Sequence, residues 1–357
     1  MMKMKLSIVV LFFILIISQC KKYELPEYPS GRYRGDTIPS GIYIISRGNK
    51  NISQDGSISL YEPYYNKLIY QDIISQINGS KIDEPASMAI LDTLGFIPLS
   101  TSGKIQVISI RNGKMYGDIS LGGRYAFNIL IYSRESGLVT DPHNMLISVF
   151  NPLSRQKTSE IILGKEPGEM SLINDRIYVG TDPGELFVID LRTQSILTSL
   201  VLLPGAMYST IANGILWVLC DGISYSTGNK TKPGIRGINP SSTQIIYNLD
   251  IDTIPGYHYL NPPFKIVASA DETALFFIYK HILRVRITAN PITIDTVIYS
   301  NGRNFSALFV HKPTGDIYVA DGKDGVLKGV VYRYSSQFTP IDSFEVGVNP
   351  VSFAYSK

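Results

Sequence analysis

A strand-rich unit recurs about seven times along this chain at intervals of roughly forty residues; its clearest copy is DRIYVGTDPGELFVIDLRTQSILTSLVLLPG, Asp175 to Gly205. Short β-branched and aromatic runs alternate with Gly, Asp, Asn and Pro clusters, the pattern of brief strands joined by tight turns. Long helical periodicity is absent. About four strands per period fit blades set around an axis better than a parallel α/β sheet. The expected architecture is all-β, a seven-bladed β-propeller with four-stranded blades.

Six copies are complete: Ser87 to Leu121, Ala126 to Leu163, Gly168 to Leu202, Met207 to Ile251, Phe264 to Tyr299 and Phe305 to Val346. The fourth carries an inserted loop around Tyr225 to Lys232. Two fragments are left over. Gly41 to Ile73 supplies three strands and Pro350 to Ser356 supplies one. Joined, they make a seventh unit, so the first blade is closed by the C-terminal strand and no sheet edge is left open. Two β-sandwich domains would also suit the length, but they leave the repeated Gly-x-Ile-Tyr-Val-like core unexplained. The propeller is therefore assigned to residues 41–357.

The N-terminus reads as a targeting segment. Lys3 and Lys5 precede an apolar run, Leu6 to Ile17, that is short for a spanning helix, and Cys20 follows directly. A cysteine there resembles the lipobox of bacterial lipoproteins, although Gln19 stands where a small residue is usual. Residues 1–19 are read as a lipoprotein signal peptide, Cys20 as the lipidation site, and residues 20–40, rich in proline and charge, as a lipid-anchored tether. An ordinary secretory signal is the alternative. Losing Lys3 and Lys5 leaves a chain close to neutral, with no basic stripe to suggest nucleic acid. Cys220, in the run ILWVLC, reads as a buried small hydrophobe.

If the first strand of each unit is innermost, the second-to-third-strand loops and the loops between units open on one face. Ligand sites on rigid scaffolds favour such loops. That face collects Arg47, Asn51, Glu84, Arg124, Tyr125, His143, Glu166, Tyr257, His258, Tyr259, Lys280, Arg303 and Asn304. Glu84-Pro85, Glu166-Pro167 and Asn349-Pro350 recur at equivalent places and should ring the central funnel. Solvation of a loop surface is the plainer role for any one of these residues. PGYHYLNPP, Pro255 to Pro263, offers aromatic faces between stiff proline ends, suited to a ring-containing ligand or a protein partner.

Catalytic patterns are not seen. The four histidines (His143, His258, His281, His311) are scattered, and no zinc spacing, Gly-x-Ser-x-Gly, phosphate loop or complete calcium loop occurs. Asp182 and Asp321 sit in turns, where bonding to their own backbone is the usual role. No cofactor or metal is expected. An enzyme is disfavoured; two or more acids or histidines clustered in the funnel would revive it.

Ile177-Tyr178-Val179-Gly180-Thr181 and Ile317-Tyr318-Val319-Ala320-Asp321 resemble the YVTN-type propeller repeat. The N-terminal third, with GIYIISRGNKNISQDGSISLYEPYYNKL and GKIQVISIRNGKMYGDIS, resembles a family of bacterial surface lipoproteins. In those, a Leu-Asn-Glu-Gly-Asn-like stretch precedes a seven-bladed propeller; here Ser46-Arg47 replaces the Asn-Glu pair. Some members capture cobalamin and pass it to a TonB-dependent transporter. The resemblance implies a non-enzymatic, outer-membrane or surface lipoprotein of a Gram-negative cell envelope that captures a nutrient, corrinoid-like in those members. A protein–protein scaffold and a lactonase-like hydrolase are the alternatives.

Overall fold

The hydrophobic pattern sets where each strand lies within its blade. In the computed structural model, which describes residues 38–253 and 261–357, blade 1 contains β1 (Ile42–Ser46), β2 (Ser57–Glu62) and β3 (Lys67–Tyr70). Blade 2 is β4 (Ala89–Leu91), β5 (Leu94–Leu99), β6 (Lys104–Ser109) and β7 (Met115–Ser120). Blade 3 is β8 (Ile129–Ile131), β9 (Gly137–Asp141), β10 (Leu146–Asn151) and β11 (Gln156–Ile162). Blade 4 follows as β12 (Pro167–Ile173), β13 (Arg176–Thr181), β14 (Glu185–Asp190) and β15 (Ile196–Val201). In blade 5 come β16 (Tyr208–Ala212), β17 (Ile215–Cys220), β18 (Gly234–Asn239) and β19 (Gln244–Asp250). Blade 6 has β20 (Phe264–Ala268), β21 (Ala274–Tyr279), β22 (His281–Arg286) and β23 (Thr293–Ile298). Blade 7 has β24 (Phe305–His311), β25 (Asp316–Asp321), β26 (Lys328–Tyr334) and β27 (Pro340–Val348), and β28 (Pro350–Tyr355) ends the chain. The seven sheets are four-stranded antiparallel meanders, as the repeat implies.

The second strand of a blade is covered on both faces by neighbouring blades, so it is buried along nearly its whole length and apolar at its centre. β9, β21 and β25 are buried at every residue. The outermost strand β15 is almost wholly exposed. Close blade packing explains Gly180 in the IYVGT core: a Cβ there would fall 1.7 Å from the carbonyl oxygen of Ala206, in the loop leading into blade 5.

Closure follows the expected route. β28 lies beside β1, with Ile42 opposite Tyr355 and Ile44 opposite Phe353. Ser356 clamps the start, its N–H donating to the Gly41 carbonyl at 3.0 Å and its hydroxyl accepting from Gly41 N at 2.9 Å. Ile42, Ile44 and Tyr61 of blade 1 then pack with Ala307, Tyr318 and Val331 of blade 7. Burial of such side chains contributes about 1.5–3 kcal/mol each, and here it is obtained only if the ring closes.

One local expectation is corrected. The third of the strands expected within Gly41 to Ile73 should run to Ile73, yet β3 stops at Tyr70 and a short helix α1 (Ile73–Asn78) follows. The Asp72 side chain caps it, accepting from Ile74 N at 3.1 Å, and Gly79 ends it in the left-handed conformation. Its buried Ile73 and Ile74 complete the hydrophobic cluster beneath blade 1. No helix among the described residues is long and apolar enough to cross a membrane. The signal-peptide reading and Cys20 lie outside the described residues, as does the tether up to Thr37.

Candidate functional site

Irregularities at the starts of the innermost strands re-aim side chains toward the axis. The registers of β12, β20 and β24 slip near Glu169, Lys265 and Ser306, as bulges do. Lys265, held at φ 51°, reaches from blade 6 to pair with Glu169 of blade 4. On the way its ammonium passes 5.4 Å from the ring centroid of Tyr208 on blade 5. A link that skips a blade is possible only across the throat of the funnel.

Arg47 follows β1, yet its guanidinium carbon lies 6.0 Å from the ring centroid of Phe127, at the entrance to blade 3. It is also within electrostatic reach of Glu84 and of Tyr208 on blade 5. Blades 1, 3 and 5 meet only at the axis, so Arg47 too projects into the throat. Its Nε is buried without a hydrogen-bond partner among the described residues. Burial lowers its pKa, with Glu84 and Tyr208 acting the other way. The Glu84 carboxylate is itself held by Lys50 at 3.2 Å.

Beside the throat, blades 4 to 7 enclose a cavity of about 680 Å³. Glu166, Asp182 and Asp221 line it with Met207, Tyr208 and Tyr225 from blades 4 and 5; Lys280, Arg303 and Asn304, with the apolar Phe264, Ile278 and Phe305, line it from blades 6 and 7. Asp182 is 3% exposed and accepts hydrogen bonds from Tyr225 N (2.9 Å), Ser226 N (2.8 Å) and Ser224 Oγ (3.0 Å). It therefore anchors the inserted loop of the next blade. Burial disfavours its ionised form, but these donors together bring its pKa below the usual carboxylate value.

Asp221 meets the opposite balance. Burial pushes its carboxyl up to about 7; the Ile223 N–H opposes this, and the charge of Asp182 adds to it. Glu166 is raised as well, by burial and then by Asp182, against a lowering contribution from His143. Arg303 leans between blades 6 and 7, its guanidinium carbon 4.1 Å from the Tyr332 ring centroid and its Nη1 donating to Tyr334 Oη at 2.8 Å. The cavity therefore combines apolar residues, a group of acids with one carboxyl poised near neutrality, and a pinned cation. Such a lining can orient a small polar ligand or exchange a proton with it.

The residues singled out in the sequence divide into groups. Glu166, Lys280, Arg303 and Asn304 line the cavity. Arg47 and Glu84 belong to the throat. Asn304 is largely committed to loop structure, its N–H donating to Asp321 Oδ1 and its Nδ2 to the Lys323 carbonyl. Arg124, Tyr125 and His143 form a rim cluster at blade 3 that does not line the cavity, though His143 reaches Glu166 electrostatically. There Arg124 pairs with Glu160 at 3.0 Å, and the Tyr125 and His143 rings stack 4.4 Å apart. Asn51 lies exposed in a 3-10 turn, Lys50–Ile52, away from the cavity lining. Tyr257, His258 and Tyr259 lie outside the described residues.

Sequence reading passed over Tyr208, Asp221, Tyr225, Phe264 and Phe305, and placed Asp182 in a self-bonded turn. Asp321 does bond its own turn, accepting from Lys323 N at 2.9 Å; Asp182 instead bonds a loop more than forty residues away. A signal was available. Aspartates recur at the top of the second strand, as Asp141, Asp182, Asp221 and Asp321, and all four are buried. Superimposing the repeats would have marked them together, and Asp221 among them as the start of the inserted loop.

No family model matches this chain, and no curated protein matches it in sequence. Solved structures do. The fold is similar to that of a quinonprotein alcohol dehydrogenase-like protein from Bacteroides thetaiotaomicron, at 13% identity over 88% of this chain and 78% of that one, TM-score 0.68. It is similar also to a putative 6-phosphogluconolactonase from Bacteroides uniformis, at 9% identity over 89% of this chain and 100% of that one, TM-score 0.67. BamB from Moraxella catarrhalis matches at 13% identity over 88% and 85% of the two chains, TM-score 0.54. At such identities the likeness is one of fold, and this chain is a seven-bladed β-propeller.

Proposed function

We propose that this chain is a non-enzymatic cell-envelope lipoprotein, anchored through Cys20, that binds a small ligand on the top face of its propeller. The observation that carries this reading is the cavity of about 680 Å³ walled by four consecutive blades, within the range of sites that hold drug-sized ligands. Nutrient capture for a TonB-dependent transporter at the outer membrane is the finer form of the proposal, and it rests on the resemblance of the N-terminal third. A corrinoid would fill the cavity and spread onto its rim at Tyr225, which is 72% exposed.

A thermal-shift panel of corrinoids, haem and glycans on the full chain tests this. Ligand bound only by the folded state stabilises it by about 2.7 kcal/mol at a hundredfold excess over Kd. A saturable rise for one compound, lost in Tyr225→Ala, supports capture. No rise across the panel supports a scaffold, a reading favoured by Leu197 and Val201, exposed on the outer edge strand β15. The clustering of Glu166, Asp182 and Asp221 in the cavity revives the hydrolase alternative, which draws on Asp221, whose pKa of about 7 suits a general acid or base. Lactone turnover that disappears in Asp221→Asn would establish it, and absence of turnover in the wild type would end it.

A further inference from the structure

We propose that Arg47 is an oxyanion seat at the throat of the propeller, and that the ligand of the top face carries a carboxylate or phosphate which docks there. This deepens the binding reading above and rests on it. A guanidinium has five N–H donors in a planar fork and no acceptor, and an unpaired cation withdrawn from water is costly. Arg47 is half-buried, its Nε is fully shielded, and among the described residues its side chain forms no hydrogen bond or ion pair.

The neighbouring charges are committed elsewhere. Glu84 is held by Lys50, and Lys265 and Glu169 hold each other across the throat. Besides the Glu84 charge, Phe127 lies 6.0 Å from the guanidinium carbon, and Tyr208, which also lines the cavity, is within electrostatic reach. Tyr208 thus joins the two spaces. A ligand lying in the cavity can pass an anionic end beside Tyr208 to Arg47, where a two-oxygen group meets the fork in bidentate fashion. A flat apolar portion would rest between the Phe127 and Tyr208 rings.

The test uses the full chain labelled with 15N-arginine. The Arg47 Nε–H signal is assigned by its loss in Arg47→Lys. Benzoate and inorganic phosphate are titrated separately at constant pH and ionic strength, with neutral benzamide as control. Saturable movement of the Arg47 signal with either anion, and none with benzamide, is the expected result. Benzoate alone would indicate a carboxylate ligand and phosphate alone a phosphorylated one. In Arg47→Met the apparent affinity for the active anion should fall at least tenfold by thermal shift.

An unmoved Arg47 signal with both anions overturns the proposal, as does equal anion affinity in the wild type and Arg47→Met. Because the titration is made on the wild type, poor folding of a variant does not remove the test. If a neutral compound of the panel binds and Tyr225→Ala abolishes it while Arg47 stays silent, the cavity reading stands and this proposal falls. If Arg47 responds but no panel compound binds the cavity, the anion seat stands and the capture reading falls.

Discussion

Arg333 and Arg47 are both drawn in from solvent, and they meet opposite surroundings. Arg333 is 7% exposed, at the face opposite the cavity and on the seam where blade 7 meets blade 1. Its Nε donates to Asp316 at 2.9 Å, its Nη2 to the same carboxylate, and its Nη1 to the Pro63 carbonyl at 2.7 Å and to Asn66. Asp316 belongs to blade 7, whereas Pro63 and Asn66 belong to blade 1, so one side chain ties the two ends of the repeat array. Among the described residues Arg47 has no such partners. In a closed structural seam an unsatisfied donor is costly, because nothing will arrive later to satisfy it. A throat open to solvent can hold a donor in reserve.

The sharpest way to break this contrast is to truncate both arginines. Arg333→Met should cost about 3–5 kcal/mol in urea unfolding, since Asp316 is then left buried and uncompensated. Arg47→Met should change stability by no more than about 1 kcal/mol and could raise it, because an unpaired, partly buried cation is removed. Equal losses in the two variants would make Arg47 a structural residue and erase the comparison.

A second, smaller effect is tied to pH. Burial raises the Asp221 carboxyl to about 7, so the folded state retains a proton that the unfolded chain releases near pH 4. Stability supplied by that proton is present at low pH and lost as pH rises from about 4 to about 7. Thermal unfolding of the wild type and Asp221→Asn should therefore diverge over that interval. The wild type should lose about 2–4 kcal/mol relative to the variant, with no further divergence above pH 8. Parallel curves would place Asp221 in a wetter, more ordinary setting and weaken the hydrolase alternative. The smallest effect belongs to Lys50→Met. Lys50 pairs with Asp83 and Glu84, but its side chain is 47% exposed, and such pairs contribute about 0–1 kcal/mol. A loss well above this in urea unfolding would mean that the Lys50–Glu84 contact shapes the throat.

The parts of the site differ in how much of them the residue order reveals. Arg47, Glu166, Lys280 and Arg303 were legible as top-face residues, because blade periodicity alone assigns each loop to a face. Their partners were not legible. The bonds from Asp182 to Tyr225 and Ser226 join different blades, and no local pattern encodes a contact across that separation. Helix α1 was missed for a different reason. Asp72 and Gly79 are good end signals, but Ile73 and Ile74 also continue a strand-like apolar run, and burial against blade 1 decided between the two.

What this sequence determined by itself is the ring: strand-sized apolar runs at a fixed period, with incomplete ends that only pair when the array closes. That information is local and repeated, so it survives without coordinates. What only the tertiary structure decided is which charges are spent and which are held open. Pairing depends on distances of a few ångströms between residues of different blades, so Arg333 and Arg47, alike as letters, became a staple and an unpaired cation only when the ring brought their neighbours to them.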